Sequence, residues 1–270
     1  MRYIAIGHVA KDITPHGWTF GGTVTYSARA AQALGCDVTV ITSSDRTLDI
    51  ASVLPEIEII RRAADRTTTF ENVYTAQGRQ QTLHAVADRL GVDLADGLTA
   101  PDIVHLAPIA QEVDEQWIDR FPSALIGVTP QGWLRQWDQA GRVQPIGWAR
   151  AAEILPRATA TVISIEDVGG DESIAQRWAS IAPVLVVTRG ERGCTVFAAG
   201  RPIDLSAPKV PVVDTTGAGD IFATSFFVRL RQTNDPVEAG RFATCIAAQS
   251  ITRVGLDGVP TQTEIEKCLK

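Results

Sequence analysis

Cysteine is scarce in this chain, and basic charge is in the minority. The four cysteines, Cys36, Cys194, Cys245 and Cys268, are spread over 270 residues with no C-x-x-C pair. Neither a zinc site nor a disulfide framework is therefore expected, and a reducing, cytoplasmic setting is the simplest home. Lys and Arg total 25 against 31 Asp and Glu, a formal net charge of −6. No long basic run offsets that balance, which argues against a sequence-independent grip on nucleic acid. No apolar run is long enough to span a bilayer, and the N-terminal apolar stretch is broken by His8, Lys11 and Asp12, unlike a signal peptide. Several common site signatures are missing as well. There is no G-x-x-x-x-G-K-[ST] loop, Gly7-His8-Val9-Ala10 stands where a dinucleotide fingerprint would follow the first strand, and no serine occupies a G-x-S-x-G turn. His8 and His105 fall near strand ends, where histidine is more often a hydrogen-bonded structural residue, so neither is assigned chemistry.

What is present is enough apolar residue, 45%, for a sizeable core. Strand-like runs at Ile4-Ile6, Val38-Thr42, Ile103-Leu106, Leu125-Val128, Thr161-Ile163 and Val184-Val187 alternate with helical stretches such as Val24-Leu34 and Glu172-Ile181. That alternation predicts one α/β domain over residues 1–270, a three-layer αβα sandwich around a mainly parallel sheet, whose ligands collect outside the carboxyl ends of the strands. No internal repeat, low-complexity tract or linker divides it. From Ile57 to Ala85 the rhythm breaks: the stretch is rich in Thr, Val, Tyr and Arg, with a turn expected at Gln77-Gly78-Arg79. It reads either as a small β-rich lid or as an edge hairpin of the main sheet.

The most informative stretch is Asp214-Thr215-Thr216-Gly217-Ala218-Gly219-Asp220. Phe222, Phe226 and Leu230 follow at four-residue spacing, the stripe of a packed helix, so the motif stands at a helix N-terminus, with Val212-Val213 before it reading as a strand end. The first N–H groups of a helix lack intrahelical partners and its dipole favours an anion there, while glycine lets a ligand approach the backbone closely. Asp220 in that first turn is placed to accept a proton from a hydroxyl attacking phosphorus. The plainer reading is a capped helix with an acidic first turn.

The full string resembles the second signature of the ribokinase/PfkB family of small-molecule kinases, D-T-x-G-A-G-D-x-F. Gly21-Gly22-Thr23-Val24-Thr25-Tyr26-Ser27-Ala28, running to Ala33-Leu34-Gly35, is similar to the family's first signature. Thr188-Arg189-Gly190-Glu191-Arg192-Gly193 is similar to its nucleotide-side T-x-G-x-x-G turn, and Ala247-Ala248-Gln249-Ser250 with Gly255 to the helix and loop beside adenine and, in many members, a monovalent cation. The resemblance implies a ribokinase-like fold whose lid is the Ile57–Ala85 flap, with a homodimer formed through that lid. It implies an ATP-dependent kinase acting with Mg²⁺ on a hydroxyl of a small sugar, polyol or cyclitol, myo-inositol among them, with K⁺ as a further cation. Asp220 would be the base and Gly217, Ala218 and Gly219 the anion hole. Asp12, Gly21, Gly22, Tyr26 and Arg135 would face the acceptor, and Thr188, Gly190, Gly193, Thr216 and Ala248 the nucleotide.

Departures accompany the matches. Tyr26 stands where many sugar kinases of the family have Asn, and the N-x-x-E element appears only as Ser164-Ile165-Glu166-Asp167. Glu166 and Asp167 are then either the carboxylates that order Mg²⁺ indirectly or, for Asp167, a helix cap. Asp214 is the candidate for the monovalent cation. Gln131-Gly132 with Leu134-Arg135 is closer to inositol-kinase-like relatives. Trp133 and Trp137, four apart, either pack on a sugar face or bury one side of a short helix. A nucleoside kinase and a catalytically silent regulatory member of the same fold are the alternatives.

Overall fold

The computed structural model describes residues 1–75 and 78–270, without the side chains of 74–79. In chain order the strands are β1 (Arg2–Ile6), β2 (Ala10–Thr14), β3 (Gly17–Gly21), β4 (Asp37–Ser44), β5 (Glu58–Ala63), β6 (Thr69–Thr75), β7 (Gly78–Ala85), β8 (Ile103–Leu106), β9 (Leu125–Val128), β10 (Arg135–Trp137), β11 (Val143–Pro145), β12 (Ala160–Ser164), β13 (Val184–Thr188), β14 (Cys194–Ala198) and β15 (Arg201–Leu205). The α-helices are α1 (Thr23–Ala33), α2 (Ala151–Ile154), α3 (Glu172–Ala179), α4 (Ala218–Thr233), α5 (Pro236–Ser250) and α6 (Gln262–Cys268).

Nine strands form the main sheet in the order β15-β14-β13-β12-β9-β8-β1-β4-β5, parallel from β13 to β5 and antiparallel at β14 and β15. Its parallel strands are apolar on both faces, as they must be when helices cover both sides. On one face Val24 and Ala28 of α1, Phe222, Phe226 and Phe227 of α4 and Ala239 and Ala243 of α5 close on Tyr3, Ala5, Val40 and Val162. Gly127 in β9 lets α4 come this close, since a Cβ there would lie 2.6 Å from the Phe227 ring. On the other face Trp117, Trp133, Trp148 and Trp178 pack with Ile154 of α2 and Ala175 and Ala179 of α3. The carboxyl ends of β1, β8, β9, β12 and β13 therefore open on one edge of the layer.

A second sheet, β3-β2-β6-β7, stands over that edge. It is built from two hairpins joined by a parallel β2–β6 pair, and its apolar side gathers Ala10, Phe70 and Leu83 onto Ile109 and Ala110. The expected flap of 57–85 thus divides. Glu58–Ala63 pairs with β4 in the main sheet, and the small sheet instead recruits Ala10–Thr14 and Gly17–Gly21. Of the turn expected at Gln77-Gly78-Arg79, Gln77 lies outside the described residues and Gly78 already opens β7.

Three further expectations change. Val212 and Val213 form no strand; they are 64% and 59% exposed, in a loop held by the Val213 and Asp214 N–H groups on the Ile251 carbonyl, at 2.8 and 3.2 Å. Trp133 and Trp137 share no helix, because Pro130–Leu134 is a 3₁₀ turn and β10 begins at Arg135. Trp133 is a core residue, stacked 5.2 Å from Trp148 with its Nε1–H on the Val113 carbonyl. Cys245 and Cys268, separated by 23 residues in sequence, are joined by a disulfide because α6 folds back along α5 and brings their Cα atoms to 5.7 Å. Among the described residues no helix is long and apolar enough to cross a membrane.

Candidate active site

The two glycine motifs meet. Gly217, at φ 76°, caps α4 in the left-handed region, and a Cβ there would lie 2.1 Å from the Tyr26 ring of α1. Tyr26 is buried, and its phenol is pushed upward by burial and by the charges of Asp220, Asp12 and Asp214, so it stays protonated. With no side-chain cap on α4, the Ala218 N–H turns to the Thr215 carbonyl at 3.2 Å, while the N–H groups of Gly219 and Asp220 find no acceptor among the described residues. These two orphan donors at the positive helix end are suited to an anion. A Cβ on Gly219 would meet nothing within 4 Å, so open space lies on that side.

Asp220 sits beside these donors. Burial pushes its carboxyl up to about 6; a hydrogen bond with the Thr23 side chain and the nearby Arg135 guanidinium act against that rise, and the Asp167 and Asp12 charges add to it. Asp220, Asp12, Asp167, Arg135 and Thr23 therefore share one electrostatic site, although they come from α4, β2, the 3₁₀ turn after β12, β10 and α1. Asp12 stands over Gly21, where a Cβ would lie 1.9 Å from its Oδ2. Gly22, at φ 89°, would place a Cβ 2.3 Å from the His8 carbonyl. Both glycines are thus required for the chain to pass beneath β2 into α1. Arg135 donates to the Ile109 carbonyl at 3.4 Å and lies 5.9 Å from the Phe70 ring, so it links the ribbon β10–β11 to the small sheet.

The nucleotide-side expectations are placed less uniformly. Thr188 ends β13 with its hydroxyl on the Ile163 carbonyl, and Gly190 and Gly193 make the following turn at φ 58° and 89°. Thr216 is exposed, and its N–H and hydroxyl both donate to Asp214 Oδ1 at 2.9 and 2.7 Å. Asp214 Oδ2 accepts from Gly255 N–H at 2.8 Å. Burial works to raise the Asp214 carboxyl, but these bonds together hold it below the usual range. Ala248 is buried within α5.

Asp167 forms a capping box with Ser164, accepting the Ser164 N–H at 2.9 Å, and its other oxygen takes the Gln131 amide at 3.3 Å. Glu166 is exposed. Among the described residues no three His, Cys, Asp or Glu side chains are grouped to hold a metal directly. Accumulated negative charge from Asp167, Asp12 and Asp220 nevertheless suits a hydrated divalent cation, which keeps several waters and needs one or two carboxylates.

Sequence reasoning missed Thr23 as a site residue; the signal was its position directly after the double glycine. It also missed Glu112, which is 2% exposed and accepts N–H groups from His8, Ile109 and Ala110. A lone Glu in a loop carries no such signal. His105 is structural, as expected: it is buried between Tyr3 and Thr129, 2.9 Å from each hydroxyl, and burial pushes its pKa down to about 3.

Comparison with known proteins bears on the same residues. The profile of the pfkB family carbohydrate kinases matches residues 165–263, the stretch that contains Asp214–Asp220. This stretch of the chain is thus similar to the pfkB family of carbohydrate kinases. The chain is 35% identical to ribokinase of Bacillus subtilis over 98 residues, 36% of this chain and 33% of that protein. It is 34% identical to the bifunctional protein HldE of a Caulobacter species over 272 residues, 94% of this chain and 52% of that protein. The chain covers 33%, 42% and 40% of the first three curated relatives it matches. Solved structures of a pyrophosphate-dependent kinase in the ribokinase family superpose at TM-scores of 0.84 and 0.82, both 21% identical and covering 98% of this chain and 99% of theirs. The first is a sulfate complex and the second holds a pyrophosphate analog and myo-inositol. The ribokinase fold, with its small second sheet, is thereby shared.

Proposed function

We propose that this chain is a pfkB-family kinase that phosphorylates a hydroxyl of a small sugar or cyclitol. The observation that carries this reading is the Asp220 carboxylate, raised to about 6 beside two unpaired N–H groups at the start of α4 and facing Asp12 and Arg135. A base with that value is mostly ionised at neutral pH yet basic enough to accept a proton. The acceptor oxygen attacks the terminal phosphorus of the donor, Asp220 takes the hydroxyl proton, a new P–O bond forms and the bond to the leaving phosphate breaks. The Gly219 and Asp220 N–H groups stabilise the charge on the transferred group, and Gly217, held on Tyr26, keeps them aimed. Asp12 binds neighbouring hydroxyls of the acceptor, and Arg135 and Gln131 line the same side. The small sheet β3-β2-β6-β7 acts as the lid that keeps water from the phosphoryl group. Asp167, with Glu166 nearby, would hold Mg²⁺ through water, and the ion would supply positive charge against the donor phosphates.

ATP is the donor in our reading, placed against Thr188, Gly190, Gly193 and Thr216, with Asp214 and the Gly255 loop as the place for a K⁺ ion. Pyrophosphate is a second donor reading, favoured by two features: Ala248, expected beside adenine, is buried, and the two superposed structures described above are of a pyrophosphate-dependent kinase. Self-association through the lid would use the outer strand β3, where Trp18 is 48% exposed.

The test is a screen of donor consumption over sugars, cyclitols and nucleosides with ATP and with pyrophosphate, repeated on Asp12→Ala. A sugar or cyclitol is expected to be consumed, with its KM raised about tenfold or more in the variant and the donor KM unchanged. Turnover of nucleosides alone would replace this reading by a nucleoside kinase. Ligand binding with no turnover for any acceptor would make the chain a silent member of its fold.

A further inference from the structure

The main sheet and the small sheet are joined by four chain crossings: residues 7–9 between β1 and β2, Gly22 between β3 and α1, 64–68 between β5 and β6, and the stretch from 86 between β7 and β8. All four meet at one residue. His8 lies in the first crossing and is fully buried. Its Nδ1 is 2.7 Å from the Thr68 hydroxyl in the third crossing, and its Nε2 is 2.9 Å from the Asp88 carbonyl in the fourth. Its own carbonyl is the atom that a side chain on Gly22, in the second crossing, would strike.

The hydrogen-bond chemistry of this junction has a single consistent direction. A carbonyl only accepts, so Nε2 carries the ring proton and Nδ1 accepts from the Thr68 hydroxyl. That hydroxyl in turn accepts the Ala87 N–H at 3.0 Å. One chain therefore runs Ala87 N–H to Thr68 O–H to His8 to the Asp88 carbonyl and ties both feet of the β6–β7 hairpin to one ring. The neighbours of this chain are anchored to the main sheet, where Val9 N–H donates to Thr42 and Asp88 N–H to Ser43, both at the end of β4. On the other side the His8 N–H donates to Glu112, whose remaining bonds fix Ile109 and Ala110 beneath the apolar side of the small sheet.

We propose that His8 is the hinge pin of the small sheet: a positioning residue that sets the angle at which that sheet meets the main sheet. A ring bonded to a single strand would only fill the core. One that stands in the first crossing and is bonded to the third and fourth, with its carbonyl packed against Gly22 of the second, fixes how the two sheets are disposed, and its loss frees one sheet relative to the other while leaving each intact. The functional consequence rests on the lid role proposed above; the mechanical claim does not.

The test is hydrogen–deuterium exchange on the whole chain without ligands, for wild type, His8→Leu, His8→Gln and Thr68→Val, paired with ATP hydrolysis in Mg²⁺ buffer without acceptor. In His8→Leu and Thr68→Val, exchange at 10–14, 69–73 and 80–85 should quicken about tenfold while β8, β9 and β12 stay unchanged, the signature of local opening. His8→Gln, whose amide N–H can still reach the Asp88 carbonyl, should lie between. Hydrolysis should rise about threefold or more in the same order. Faster exchange spread equally over both sheets, or none in the small sheet, would overturn the hinge. Should His8→Leu fail to fold, Thr68→Val, which removes one bond of the chain, decides the matter by the same readout. A wild type that transfers phosphate to no acceptor would refute the kinase reading, and the exchange result would still decide the hinge.

Discussion

Asp220 lies where the positive end of α4 favours its charge and burial opposes it, and burial prevails: the carboxyl is pushed up to about 6. An unfolded aspartate titrates near ~3.9, so the folded chain holds this proton more tightly. The associated stability is complete below pH about 4 and is lost as pH rises through about 6. Asp220→Asn removes that loss. Its stability relative to wild type should improve between pH about 4 and about 8 by on the order of 1–2 kcal/mol, less than the ~2.7 of a full two-unit shift because the residue keeps some solvent contact. Denaturant melts at the two pH values measure it, and a constant gap would remove the buried charge from the account. The wild-type kcat/KM should rise across the same window with an apparent pKa of about 6, as the base ionises.

Two glycines a single residue apart should behave in opposite ways. Gly217→Ala puts a Cβ into the Tyr26 ring at positive φ and should cost about 1–3 kcal/mol in a thermal melt. Gly219→Val adds a side chain facing open space, so it should melt close to wild type yet lose most of its single-turnover rate, because in the proposed reaction the phosphoryl group approaches through that space. Equal melts, or an unchanged rate for Gly219→Val, would contradict the placement of the anion hole.

At the scale of elements, what the sequence made legible was local. Alternating strands and helices, the α4 start and the double glycine of α1 are written in neighbouring residues, so β1, β4, β8, β9, β12 and β13 fall where the apolar runs stand. The pieces that were misread depend on distant partners. Glu58–Ala63 has the composition of a lid strand, but its register with β4 draws it into the main sheet. Ala10–Thr14 is too short and polar to announce a sheet until Thr69–Thr75 pairs with it. The meeting of Asp220 with Asp12 and Arg135 brings together residues from opposite ends of the chain, and no spacing encodes it. Cys245–Cys268 belongs to the same class, since only the fold-back of α6 on α5 pairs them. Alkylation of unfolded, unreduced protein should accordingly label two of the four cysteines, Cys36 and Cys194, as mass spectrometry would show. Labelling of all four would mean that α6 is held without the disulfide, by the Arg253–Glu264 ion pair and the Thr261 capping box.

For the whole molecule, the proposed function assigns chemistry to the main layer and enclosure to the small sheet. The parallel strands bring Asp167, Thr188 and the turn at Gly190 to one edge, α4 brings its N-terminus and Asp220 to that edge, and the small sheet carries Asp12 and Phe70 over it. Transfer to a bound hydroxyl, rather than to water, is the consequence that this division of labour predicts. The most direct test is phosphorus NMR of the products formed by wild type and Asp220→Asn from ATP or pyrophosphate with sugars and cyclitols. A phosphomonoester of one such acceptor is expected from wild type, and a rate about 10²–10⁴ lower from the variant at unchanged donor affinity. Inorganic phosphate as the sole product, or a phosphomonoester formed equally fast by Asp220→Asn, would contradict it.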